Sequence, residues 1–144
     1  MLYQKKVFKE FSDGRGELVP LEIGRSFNGA DIPFDVKRCY FISVPTNEGN
    51  AVRGRHAHYN LEQMIICMNG SFNLRLEDGK GEVSEVYISK KNEGIYIKSL
   101  VWRELSDFSE NCVILVLASQ HFNESDYIRD YEKFIEVSNN NNNK

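Results

Sequence analysis

The stretch "VRGRHAHYNLEQMIICMNG", residues 52–70, sets two histidines one residue apart and a glutamate four positions after the second. A run of apolar β-formers and an Asn-Gly pair follow. Side chains alternate between the two faces of a strand. Read as a strand, the segment therefore puts His56, His58, Asn60 and Glu62 on one face and Arg55, Ala57 and Tyr59 on the other. Two imidazoles and a carboxylate then converge. Burying three polar groups without a task costs free energy, so the pattern points to a site rather than to histidines that merely fill a strand. Imidazole, with an ordinary pKa of ~6.5, suits either metal ligation or proton transfer near neutral pH.

Outward from this stretch the chain is a succession of short β-type segments broken by turn signals: "GELVPLEI", "VKRCYFISV", "EQMIICM", "SFNLRLE", "SEVYISK", "GIYIKS", "WRELSD" and "CVILVLAS". This spacing predicts an all-β sandwich or barrel. Asn69-Gly70, between two apolar runs, predicts a tight hairpin, and "EDGKGE" at 77–82 predicts the next reversal. Past residue 120 the period lengthens. Tyr127, Ile128, Tyr131, Phe134 and Ile135 fall on one helical face, with Glu124 and Asp126 near the start, where a helix dipole favours acids. A short C-terminal α-helix is predicted, with one domain over residues 1–137 and a disordered Asn-rich tail over 138–144.

A chain of 144 residues with 41% hydrophobic content fits one domain with a real core. No stretch approaches the ~18 apolar residues of a membrane span, and "MLYQKKVFKEFSDG" carries charges where a signal peptide needs its apolar region. A soluble, unexported, cytoplasmic protein is expected, with no membrane partner. Cys39, Cys67 and Cys112 each sit in an apolar segment, which suits reduced core thiols. The net charge of -3 argues against a broad nucleic-acid footprint. Any phosphate ligand must then be met by a few placed arginines.

His-x-His-x-x-x-Glu followed by a Gly turn resembles the first motif of the cupin superfamily, which implies a double-stranded β-helix of the jelly-roll class. Metal-binding cupins add a third histidine from a later strand. The matching place here is "SLVWREL", which offers Arg103. A guanidinium cannot ligate a metal and repels one, so the pattern favours acid/base work by the same histidines, with no metal and no cofactor.

More closely, "RGRHAHYNLEQ" with "NGSFNLRLEDG", "VWREL" and "VLASQHFNESDYIRDYEKF" resembles the nucleotide-sugar 3,4-ketoisomerases, small cupins similar in length to this whole chain. The likeness runs from about "SDGRGELVPLE" to the closing helix. It implies isomerisation of a dTDP-4-keto-6-deoxyhexose to the 3-keto isomer. That product would feed an aminotransferase making 3-amino-3,6-dideoxy sugars for surface glycans such as lipopolysaccharide O-antigen. It also implies a homodimer that exchanges edge strands. The product's C4 configuration is open, with "DGRG" favouring galacto.

The resemblance makes His56 the catalytic base, and His58, on the same face, relays the proton or stabilises enediol charge. It makes Arg53 the first diphosphate ligand, brought inward if Gly54 breaks the strand alternation. Arg15, in the "DGRG" turn, matches an Arg-Gly pair at the family's active-site edge. Arg38 and Tyr40 share one strand face and reach toward sugar or phosphates, although a tyrosine at such a place more often belongs to the core. Two readings stand for Glu62, an orienting carboxylate or a structural ion pair. Two stand for Trp102, a stack on thymine or a filler of the barrel. Arg103 replaces a histidine common in relatives and adds a phosphate contact. The rival functions are a dTDP-4-keto-6-deoxyhexose 3,5-epimerase, a non-catalytic sugar-binding cupin and a metal-dependent dioxygenase.

Overall fold

In "FNLRLE", residues 72–77, the alternation sends Phe72, Leu74 and Leu76 to one face, and all three are completely buried. The same period-2 logic builds most of the molecule. The structure, a computed structural model, describes residues 1–24 and 30–141. Its strands are β1 (Gln4–Val7), β2 (Phe11–Asp13), β3 (Gly16–Leu18), β4 (Arg38–Val44), β5 (Arg53–His58) and β6 (Gln63–Asn69). They continue with β7 (Phe72–Glu77), β8 (Val83–Ile88), β9 (Glu93–Ile97), β10 (Trp102–Ser106), β11 (Cys112–Ala118) and β12 (Tyr127–Ile128). Helix α1 (Tyr131–Asn140) follows.

Two five-stranded antiparallel sheets, ordered β1-β9-β6-β11-β4 and β12-β5-β10-β7-β8, pack face to face as a cupin jelly roll, and β2 and β3 form a separate ribbon. The main core lies between the sheets and includes Ile65, Phe72, Leu74, Ile95, Ile114 and Val116. Five consecutive residues of β6, from Gln63 to Cys67, are buried because this central strand is covered on both faces. Ile65 and Cys67 point between the sheets, while Met64 and Ile66 join Phe8, Ile32, Phe34 and Leu117 outside. On the outer face of the second sheet, Phe134 of α1 packs on Ala57, Trp102 and Ile128. Asp130 caps this helix, its side chain accepting from the Lys133 N–H.

Several expectations are corrected. Asn69-Gly70 does not close a hairpin, because β6 and β7 lie in different sheets and the turn carries the chain across the barrel. Gly70 has φ +79, and a Cβ there would collide with the Ser109 side chain, so the crossing needs glycine. The reversal at 77–82 does join a hairpin, β7 to β8, with Glu77 opposite Val83. Tyr127 and Ile128 belong to β12, paired to His58 and Ala57, and the helix begins only at Tyr131. Its far end runs past Val137 to Asn140, with Ser138 buried, so residues 138–140 are helix, while 142–144 lie outside the described residues. Cys67 and Cys112 are buried, but Cys39 is exposed, because it sits on the outward face of the edge strand β4. Among the described residues, no helix is long and apolar enough to cross a membrane.

Candidate active site

A cavity of about 250 Å³ opens between the two sheets. Tyr40 and Ile42 of β4, Gln63 and Ile65 of β6 and Val116 of β11 line one side. Arg53, Gly54 and His56 of β5 and Arg103 and Leu105 of β10 line the other, and Tyr127 and Arg129 close the rim. The floor is aliphatic, and the walls carry every ionisable group.

A bulge in β5 creates this arrangement. Gly54 and Arg55 have φ of +85 and +55, and the register with β10 slips there. Arg103 pairs with His56 but Glu104 with Gly54. The extra residue, Arg55, is thrown out to solvent, and Arg53 and His56 come to the same face. On β10, Trp102 and Arg103 then take opposite faces, the tryptophan toward α1 and the arginine toward the cavity.

Arg103 is the deepest charge, 2% exposed. One guanidinium nitrogen donates to Gln63 Oε1, another to the Val101 carbonyl at 2.9 Å, and Nε has no partner. Burial pulls its pKa down to about 10, which leaves it cationic at neutral pH. Gln63 in turn donates from Nε2 to the Tyr40 hydroxyl at 3.1 Å, and burial raises the Tyr40 phenol above its ordinary value. Arg38 lies over the Tyr40 ring at 5.3 Å, with its Nε and one terminal nitrogen buried and unpartnered.

Burial and the neighbouring Arg103 cation push His56 down to about 4, so the ring facing the cavity is neutral near pH 7, with a lone pair free to accept a proton. His58 is completely buried one layer behind, its ring edge-on to His56 at 4.9 Å and to Tyr127 at 4.3 Å. The same two causes, burial first, hold its pKa below the ordinary histidine value. His56 Nδ1 and His58 Nε2 are both buried without a partner. The other nitrogen of His58, Nδ1, lies 3.2 Å from Asp126 Oδ2.

The expected site residues divide accordingly. Arg53, His56, Arg103 and Tyr40 line the cavity, Arg38 lies beside it over the Tyr40 ring, and His58 stands behind His56. Glu62 does not join them. Strand β5 ends at His58, the alternation stops, and Glu62 turns to the opposite side of the sheet, where it accepts from the Tyr96 hydroxyl. Trp102 packs on Tyr131 and Phe134, with ring centroids at 5.2 and 5.5 Å, so it fills the outer face and cannot reach a sugar in this cavity. Arg15 is held by Asp13 at 2.7 Å in the exposed β2–β3 ribbon, away from this chain's cavity. Gln63, Asp126, Tyr127 and Arg129 were missed. The string "SDYIRDY" contains three of them, but the helical period puts Tyr127 on a helix face and Asp126 at the helix start, and gives Arg129 no role. Among the described residues, no three His, Cys, Asp or Glu side chains are grouped to hold a metal ion.

The model of the family named FdtA and described as "WxcM-like, C-terminal" matches residues 2–139. A curated TDP-4-oxo-6-deoxy-alpha-D-glucose-3,4-oxoisomerase from Aneurinibacillus thermoaerophilus is 42% identical over 127 residues, 88% of this chain and 86% of that protein. The sugar 3,4-ketoisomerase QdtA from Thermoanaerobacterium thermosaccharolyticum, solved with TDP, superposes with a TM-score of 0.88 at 40% identity. The match covers 97% of this chain and 96% of that one. A 3,4-ketoisomerase from Helicobacter canadensis gives 0.86 at 39% identity, over 96% and 98% of the two chains. The chain therefore belongs to the FdtA family, the cupin-fold nucleotide-sugar 3,4-ketoisomerases, and is an isomerase of that class.

Proposed function

We propose that this protein converts dTDP-4-keto-6-deoxyglucose to the 3-keto isomer, with galacto configuration at C4, through a histidine-mediated enediol and without a metal or organic cofactor. The observation that carries the mechanism is His56. It is a neutral imidazole in a cavity wall, directly opposite a buried arginine on the neighbouring strand. The substrate follows from the relatives. The curated protein is named for the TDP-4-oxo-6-deoxyglucose reaction, and a QdtA variant was solved with TDP-4-keto-6-deoxyglucose.

In this reading His56 removes the C3 proton, and the C3–H electrons form a C3=C4 double bond as charge moves onto O4. Arg103, buried in the cavity wall, and the Tyr40 hydroxyl stabilise that charge. A proton passes from O3 to O4, the double bond collapses to a ketone at C3, and the imidazolium returns a proton to C4. Arg53 and Arg129 stand at the rim, where planar guanidinium forks suit the diphosphate. The aliphatic floor of Ile42, Ile65, Leu105 and Val116 suits a 6-deoxy sugar. The galacto assignment has the "DGRG" turn as its support, and the 3-keto product suits an aminotransferase of a surface-glycan pathway.

A homodimer belongs to the same proposal. Its support is the edge strand β4, with Phe41 exposed, and the β2–β3 ribbon, which pairs with no other strand among the described residues.

The test is NMR of purified protein with dTDP-4-keto-6-deoxyglucose in D2O with EDTA. A 3-keto product carrying deuterium at C4, with galacto coupling constants, is expected. Exchange at C3 and C5 without ketone migration would make it an epimerase, and activity lost to EDTA would make it a metalloenzyme.

A further inference from the structure

The carboxylate that meets His58 comes from 68 residues away in the chain. Asp126 ends a short 3-10 turn, Glu124–Asp126, and is 6% exposed. Its Oδ1 accepts from the Asn60 backbone N–H at 2.9 Å and from Asn60 Nδ2 at 3.3 Å. Its Oδ2 accepts from the Leu61 N–H at 3.2 Å and faces His58 Nδ1 at the same distance. Three of these four neighbours are donors under any protonation scheme. A carboxylate held by donors has no hydrogen to give, so the fourth contact is satisfied only if His58 Nδ1 carries the ring proton. The remaining nitrogen, Nε2, is then the basic one, and it is the atom left buried without a partner beside His56 and Tyr127.

We infer that Asp126 is a positioning residue of the isomerase. It fixes His58 as the Nδ1–H tautomer, so that Nε2 stands as a fixed proton acceptor behind the base His56. The inference builds on the functional reading above and adds a residue to it. While His56 holds the C3 proton as an imidazolium, the lone pair on His58 Nε2 stabilises that cation against the buried Arg103. In the opposite tautomer a second N–H would face the imidazolium and raise the barrier. Asp126 touches neither substrate nor reacting atoms. Its effect passes through one imidazole.

The experiment pairs 15N NMR of the histidine side chains with turnover in wild type, Asp126→Asn and Asp126→Glu. In wild type, His58 should show a protonated Nδ1 and a bare Nε2. An asparagine has only one acceptor oxygen for the donors Asp126 now serves, and an amide NH2 facing His58 reverses the ring proton to Nε2. Asp126→Asn should then show the reversed tautomer and a kcat lower by on the order of 10²-fold or more, with KM little changed. Asp126→Glu should restore part of both. A wild-type His58 protonated at Nε2 overturns the inference, as does wild-type kcat in a folded Asp126→Asn variant. If that variant does not fold, the wild-type spectrum decides alone. A wild type that never turns over the sugar would instead defeat the functional reading, and the spectrum would still report the tautomer.

Discussion

Arg53 and His56 line one cavity although they stand three positions apart along a single strand. In an unbroken strand an odd spacing sends two side chains to opposite faces, so the bulge at Gly54–Arg55 is what makes them neighbours. Gly54 has φ +85, and a Cβ there would lie 3.0 Å from the Arg103 carbonyl oxygen and 3.2 Å from Leu105 Cδ1. Gly54→Ala is expected to cost about 1–3 kcal/mol in denaturant unfolding. It should also lower kcat/KM at temperatures where the variant is fully folded, since diphosphate ligand and base would separate. Wild-type kcat/KM in the folded variant would show that the bulge does not set their placement.

His56→Asn keeps the ring's approximate size and polarity but cannot hold a proton at neutral pH. Turnover should fall by about 10²- to 10⁴-fold, with unchanged circular dichroism and with dTDP binding retained in calorimetry. If activity survives, the base is elsewhere on the cavity wall, and Tyr40 is the next candidate by position.

What the sequence revealed and what it hid follow from the same alternation. Strands β7 and β11 announce themselves because their inward faces are wholly apolar, and β6 because its buried run is apolar from Met64 to Cys67. β1 and β2 do not, because "QKKV" and "FSD" are nearly all exposed and leave no pattern to see. The HAH pair was legible as a site because two histidines at i and i+2 need no knowledge of the next strand. Glu62 was misplaced because the chain leaves the β5 ladder right after His58, where the Tyr59 N–H bonds the Asp126 carbonyl. Asp126 and Tyr127 were hidden by coincidence. Their spacing from Tyr131 and Phe134 fits a helix, and only the pairing of β12 with β5 turns them toward the histidines. Gln63 carried a faint signal, as a polar residue at the head of an otherwise apolar strand.

The low His56 pKa gives a signed pH prediction. Burial acts first and the Arg103 cation second. The acid limb of kcat/KM, which reports the free enzyme, should fall near pH 4 rather than near the ordinary ~6.5. Arg103→Met removes the cation and should move that limb upward. Stability has a matching dependence. Between about 4 and 6.5 the unfolded chain binds more protons at this residue than the folded one, so its contribution falls as pH drops through that window. An acid limb that stays in place in Arg103→Met would assign the shift to burial alone.

Trp102 separates a structural role from a substrate role. It is 4% exposed and packs against Tyr131 and Phe134 on the outer face, where it ties α1 to the second sheet. Trp102→Ala should cost about 3–5 kcal/mol in unfolding, while the KM for the dTDP-sugar in the folded fraction changes little. A large KM increase with little loss of stability would return Trp102 to the nucleotide.

The exposed edge makes the oligomeric prediction. Phe41 stands 73% exposed on β4, an edge of the first sheet, and Phe11 and Leu18 of the isolated β2–β3 ribbon are also largely exposed. An open edge carrying large apolar side chains is a template for pairing with another chain, and a second copy carries the same features for a self-complementary contact. Light scattering should therefore give twice the chain mass. Phe41→Glu, which sets a charge in that contact, should shift the mass toward one chain at micromolar concentration. A wild type that scatters as a single chain at high concentration would show that β4 remains an edge in solution and that the cavity works within one copy.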